Sequence, residues 1–281
     1  MTDGPPLIFD VHAQALHRAR AGRMAGERVL AGEALEGVQA RIAPVNRSFA
    51  TALYIDGDCA EDFQGVAATL RVGRFGTDER LEAESGCDLA VSVLSLHGMN
   101  DLPGALVQIR RALKPDGLFV AALFGGATLF ELRESFAAGE IVTMGGVTPR
   151  VAPMADVREL GALLQRAGFA MPVADVERTT VRYREFATLV NDLRLMGETN
   201  ALTGRHRALS RATLAAALAH YGVKHADADG RLRATFDIVY LAGWAPHESQ
   251  QKPLRPGSAT TRLAKALGTV EHPAGDKAGP K

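Results

Sequence analysis

Asp88-Leu89-Ala90-Val91-Ser92-Val93-Leu94-Ser95-Leu96 carries no charge after its first residue and is dense in β-branched and aliphatic side chains. A run of this kind reads as a strand with both faces buried, the condition of a strand inside a parallel sheet. A helix follows it. Asn100-Asp101-Leu102-Pro103 supplies an N-cap at Asp101 and a proline in the first turn, and the helix runs to about Leu113. Lys114-Pro115-Asp116-Gly117 is a turn by composition, and Leu118 to Phe124 is a second near-continuous apolar strand. Buried strands alternating with helices predict an α/β, doubly wound sheet.

Working outward, helices are expected over 7–20 and 26–43, the second stopped by Pro44, with short strands at Ala52–Ile55 and Leu70–Phe75. Further helices fit Thr128–Ala138 and Asp156–Ala167, the latter ended by Gly168. Val173–Tyr183 and Leu232–Trp244 read as long strands. They are expected to pair antiparallel at one edge, with helices at 185–196 and 210–221 capping one end of the sheet. The chain then divides into an N-terminal helical segment (1–50), a sheet domain (51–247) and an irregular Pro-, Gly-, Lys- and Ser-rich tail (248–281).

The 281 residues are 47% hydrophobic and 23% charged, which excludes a disordered, collagenous or coiled-coil chain. Lys+Arg and Asp+Glu are 32 each, so no global basic field exists to hold nucleic acid, and none is expected as a partner. Cys59 and Cys87 are too few for a disulfide scaffold or a self-contained zinc site; they fit a reducing compartment, the cytoplasm. No apolar run approaches the ~20 residues that cross a bilayer. No integral membrane segment is expected, although peripheral contact stays open.

Ligands of an open α/β sheet bind outside the carboxyl ends of its strands. The loop after Leu96 places His97 at a strand end beside a helix N-terminus, a position for a general base or a substrate hydrogen bond. Asn100 in the same loop joins it as a candidate catalytic residue. The loop after Ile55 reads Asp56-Gly57-Asp58-Cys59-Ala60-Glu61-Asp62, with one glycine among four carboxylates. Such a loop repels phosphate and tolerates a cation. Glu131 and Arg133 read as a surface helix face. His220, His225 and Asp227 straddle a helix end, and no metal is expected there.

Several segments carry a resemblance. Leu94-Ser95-Leu96-His97 with Asn100-Asp101-Leu102-Pro103, and Leu113-Lys114-Pro115-Asp116-Gly117, look like class I S-adenosylmethionine-dependent methyltransferases. Phe124-Gly125-Gly126-Ala127-Thr128-Leu129-Phe130-Glu131-Leu132-Arg133, Met196-Gly197-Glu198-Thr199-Asn200 and Gly243-Trp244-Ala245-Pro246-His247-Glu248-Ser249-Gln250 resemble one branch of that family. That branch is the fifth mitochondrial complex I assembly factor with its alphaproteobacterial relatives, and it is similar to the malonyl-carrier-protein methyltransferase of biotin synthesis. The resemblance implies a seven-stranded Rossmann-like sheet, an S-adenosylmethionine site and a role linked to respiratory complex I. For the mitochondrial member it implies hydroxylation of an arginine on a complex I subunit.

Two departures stand out. Where the family's first strand runs into Leu-Asp-Leu-Gly-Cys-Gly-x-Gly, this chain has Leu53-Tyr54-Ile55-Asp56-Gly57-Asp58-Cys59-Ala60, with every aligned glycine replaced. Second, 32 residues run from Asp56 to Cys87, whereas three helices and two strands of ordinary length need roughly 67. At least one strand–helix unit is therefore expected to be lost, including the acid that grips the cofactor ribose. Asp56, Gly57, Asp58 and Leu96 are the candidate cofactor contacts, with Asp78 as the nearest replacement acid. The expected function is a scaffold or assembly factor that binds a complex I subunit or another assembly factor. The alternative is an active S-adenosylmethionine-dependent methyltransferase or arginine hydroxylase acting on a protein.

Overall fold

Seven strands form one sheet: β1 (Phe49–Ile55), β2 (Ala67–Phe75), β3 (Leu81–Glu82), β4 (Cys87–Val93), β5 (Leu113–Gly125), β6 (Ala170–Tyr183) and β7 (Leu232–Trp244). The computed structural model describes residues 7–56, 60–204, 208–250, 261 and 263–270. The strand order is β3-β2-β1-β4-β5-β7-β6. β2, β1, β4 and β5 are parallel, β7 runs antiparallel to β5, and β6 pairs antiparallel with β7. The α/β doubly wound sheet with an antiparallel edge is thus the fold observed.

Every residue of β4 is buried, as its composition requires. The strand stops earlier than expected: Leu94 takes φ 48, and Leu96 opens a short helical turn, Leu96–Gly98. Successive side chains point to opposite faces. Tyr54, Val91, Phe124, Phe236 and Tyr240 build one core layer under helix α2 (Val29–Ile42). Leu53, Ala90, Phe119 and Val239 build the other, under α3 (Leu102–Ala112) and α5 (Val157–Arg166). Asp101 caps α3 by accepting from the Gly104 N–H at 2.8 Å, and Asp156 with Glu159 forms a capping box on α5.

Lys114–Gly117 is not a separate turn. Cys87 pairs with Leu113 and Leu89 with Leu118, so the extra residues of β5 bulge out within the strand, with Asp116 at φ 61.

The expected loss of a strand–helix unit between β1 and β4 is corrected in one respect: the sheet keeps seven strands, and among the described residues it is helix that is missing there. β1 and β2 are joined through one short helical turn, Ala60–Phe63, and β3 is a two-residue hairpin return antiparallel to β2. Helix α1 (Val11–Ala21) begins later than expected; residues 7–10 are extended, with Phe9 bridged to Leu202. Helix α4 (Phe130–Met144) is longer than expected. α6 (Phe186–Met196) and α7 (Arg211–Lys224) fall where the cap was placed. The chain divides into two compact units, 1–247 and 248–281; the second contains α8 (Leu263–Leu267). No helix among the described residues is long and apolar enough to cross a membrane.

Candidate functional site

A cavity of about 420 Å³ lies where β4 and β5 end, between the sheet and the cap. Its wall is apolar and aromatic: Phe124 and Phe236 from the sheet, Leu132 and Phe136 from α4, Phe186 and Leu193 from α6. Phe9 covers it from the N-terminal segment, and Arg18, Arg194 and Glu198 bring charge to its lining.

His97 is placed here by the end of β4. Its ring meets the Phe124 ring edge-on at 5.2 Å, and its Nε2 lies 2.8 Å from Glu198 Oε2. An ionised carboxylate only accepts, so Nε2 carries the proton in this pair. His97 Nδ1 is buried and has no hydrogen-bond partner among the described residues. Glu198 reaches the histidine because Gly197, at φ 78, ends α6 and turns the chain back. A Cβ at Gly197 would meet the Arg18 backbone at 3.4 Å, an ordinary contact, so the positive φ alone favours glycine here.

The other expected site residues lie elsewhere. Asn100 does not line the cavity: its Oδ1 accepts from the Ile8 and Phe9 N–H groups, and its Nδ2 donates to Phe9 O and Glu79 Oε1. Both ends of the amide, expected at a catalytic post, are used here in holding chain. Leu96 is fully buried in the α3-side core. Asp78 is an exposed turn residue that accepts from the Arg80 N–H at 3.2 Å. Gly57 and Asp58 lie outside the described residues, as does Cys59.

Asp56 ends β1 with φ 46, the left-handed backbone that the family's glycine would supply. Its N–H donates to Gly73 O at 3.1 Å and its Oδ2 accepts from the Phe75 N–H at 3.2 Å, so the side chain ties β1 to the end of β2. Burial raises its carboxyl above the usual range, opposed by the Phe75 N–H and by Arg18 and Arg74. None of Asp56, Asp78 and Leu96 lines the cavity.

Other charged groups were misread from sequence. Glu131 is buried, accepting from the Thr235 N–H at 3.1 Å and hydroxyl at 2.5 Å; Arg133 donates to Ala152 O at 3.0 Å. Asp237 holds Arg178 and the Ala127 N–H. Arg18, within the helix expected over 7–20 and not singled out as a site residue from sequence, lines the cavity. The signal for Glu198 was present in the branch-like segment Met196–Asn200, but nothing local pointed it at His97. His225 pairs with Glu134 at 3.1 Å and Asp227 with Arg182; among the described residues no cluster of three His, Cys, Asp or Glu side chains is arranged to hold a metal.

No family model matches the chain. The arginine-hydroxylase NDUFAF5, mitochondrial, of Danio rerio is 45% identical over 181 residues, covering 64% of this chain and 56% of that protein. The Homo sapiens protein of the same name is 44% identical over 189 residues, 67% of this chain and 54% of that one. The malonyl-[acyl-carrier protein] O-methyltransferase of Nitrosospira multiformis is 36% identical over 188 residues, 65% of this chain and 59% of that one. This chain spans about half the length of the curated relatives it matches. Among solved structures, the YcgJ protein of Bacillus subtilis superposes with a TM-score of 0.47 at 13% identity, over 75% of this chain and 99% of that one. By this sequence likeness the chain is a homologue of the NDUFAF5 proteins and, at lower identity, of malonyl-[acyl-carrier protein] O-methyltransferases, and its seven-stranded sheet has the class I methyltransferase-like, Rossmann-like fold.

Proposed function

We propose that this is a methyltransferase-fold protein whose cofactor cleft has been rebuilt, and that it serves as an assembly factor for respiratory complex I by holding a protein partner. The end of β1 carries the reading. A nucleoside lying against this loop needs close backbone approach, which glycines permit. Here Asp56 occupies the first glycine position, and its carboxylate is spent on the end of β2. β2 itself closes on Arg74-Phe75-Gly76 with no acid for a ribose, and Asp78 bonds its own turn. These residues do not fit S-adenosylmethionine, so no chemical step is assigned to it. The cavity beyond β4 and β5, by contrast, is intact and mostly apolar, and it suits an inserted segment of a partner polypeptide. The cytoplasmic placement belongs to the same proposal, although the NDUFAF5 relatives are named mitochondrial.

Isothermal titration with S-adenosylmethionine and S-adenosylhomocysteine is expected to give no heat of binding. Micromolar affinity for either overturns the rebuilt-cleft reading. It would favour the second reading, an arginine hydroxylase or methyltransferase, the activities named in relatives 45% and 36% identical. Co-purification from the source cell is expected to recover a complex I subunit or a known assembly factor, and recovery of neither counts against the partner.

His97→Ala tests the cavity. Because the ring lines the cavity rather than filling the core between sheet and helix, the melting temperature is expected to fall by less than about 4 °C, roughly 1 kcal/mol. Recovery of the partner is expected to fall about tenfold, the scale of one lost hydrogen bond in the cavity. A large fall in melting temperature with full recovery assigns His97 to stability alone.

A further inference from the structure

We propose that Glu79 positions the roof of the cavity through Asn100, so that the hairpin standing in the shortened part of the sheet governs the segment that covers the site. The proposal goes beyond the assembly reading and holds whatever occupies the cavity.

The roof is the extended segment Leu7–Asp10. On one side it is sewn to the chain after α6: the Asp10 N–H donates to Ala201 O at 2.7 Å, and the Thr203 N–H donates to Ile8 O at 2.8 Å. On the other side no strand is available, and one side chain does the work of one. Asn100 Oδ1 accepts from the N–H groups of both Ile8 and Phe9 at 2.8 Å each, and Asn100 Nδ2 donates to Phe9 O at 3.1 Å. Phe9, only 8% exposed, is thereby pressed onto the cavity.

An asparagine amide can point either way, and only one way serves here. Glu79 decides it. Its Oε1 accepts from Asn100 Nδ2 at 3.0 Å and from the Asn100 N–H at 2.7 Å. A flipped amide would set Oδ1 against this carboxylate and against Phe9 O, acceptor facing acceptor. Glu79 is itself fixed from several sides. It sits at φ 56 in the β2–β3 turn, with its N–H on Gly76 O at 2.9 Å. Its Oε2 accepts from the Asp101 N–H at 2.7 Å, and its carbonyl accepts from Gln108 Nε2 at 2.9 Å. The hairpin is therefore bound to α3, and through Asn100 to the roof. In this chain the β2–β3 hairpin supports the cover of the cavity.

Amide hydrogen exchange on the full chain tests this. In Glu79→Ala the Ile8 and Phe9 amides are expected to exchange at least about tenfold faster, with β4 and β5 amides unchanged, because local opening is separable from global unfolding. Asn100→Ala is expected to give the same local pattern. Glu79→Gln keeps one acceptor oxygen and is expected to restore most of the protection; it also supplies the measurement should Glu79→Ala not fold, with acceleration of about threefold at the same two amides. Unchanged exchange at Ile8 and Phe9 overturns the proposal. So does equal acceleration in β4 and β5, which is the signature of general destabilisation.

Discussion

Gly139→Ala is expected to lower the melting temperature by roughly 4–12 °C. Two effects compete. Alanine is favoured over glycine inside a helix by about 1 kcal/mol, and Gly139 lies within α4. Against this, a Cβ at position 139 would stand 2.7 Å from Ala217 N and 2.8 Å from Thr213 O, both backbone atoms of α7. Backbone cannot rotate away as a side chain does, so the helices must part. α7 resists, because Thr213 Oγ1 is bonded to Thr143 Oγ1 at 2.9 Å and to Ser210 Oγ at 2.8 Å. Overpacking of this kind costs up to about 3 kcal/mol or more, which outweighs the propensity gain. α7 also carries Leu214 into the cavity wall, so partner recovery should fall together with stability. A thermal melt decides it: an unchanged or raised midpoint would mean that α4 and α7 do not approach this closely.

Asp237→Ala is expected to cost about 2–3 kcal/mol, the range for losing hydrogen bonds to a charged group and stranding a buried N–H. Asp237 is 3% exposed on β7. Its Oδ1 accepts from Arg178 Nε at 2.6 Å, and its Oδ2 from Arg178 Nη2 at 2.9 Å and the Ala127 N–H at 2.8 Å. Removing it strands the Ala127 N–H and loosens the turn that leads into α4. Arg178, 61% exposed, escapes to water, which keeps the loss at the low end of that range. Arg178 holds the Asp237 carboxyl below the usual 3.8; burial opposes this, and the Ala127 N–H assists. A carboxyl depressed in the folded state contributes stability that is complete above the unfolded value and is lost as pH falls through the folded one. Acid unfolding of the native chain should therefore steepen below about pH 4, while Asp237→Asn should show a flatter profile there. Superimposable acid profiles would remove Asp237 from the account.

The parts of this fold readable in the sequence are those whose signal is local. Asp88–Val93, Leu118–Phe124 and Leu232–Trp244 are buried on both faces and announce it by composition. Asp101 and Asp156 cap helices with side chains a few residues away. The bulge at Lys114–Gly117 was invisible because it depends on register against β4, not on its own residues. The site was less legible for the same reason. His97 was marked by its place at a strand end, but Glu198 lies 101 residues further along the chain. Glu131 resembles any helix-surface glutamate until Thr235 on β7 is brought against it. The bonds of Asn100 to Ile8 and Phe9 were not legible, since those partners come from a segment expected to be helical.

The position of β7 between β5 and β6 has a consequence for the chain as it leaves the ribosome. Until residues 232–244 emerge, β5 presents an unpaired apolar border and β6 has nothing to lie beside. From the emergence of β5 until that of β7 the nascent protein thus carries a sticky open flank, the state in which chains aggregate or recruit chaperones. Truncations ending before Leu232 should precipitate rather than yield a smaller soluble domain.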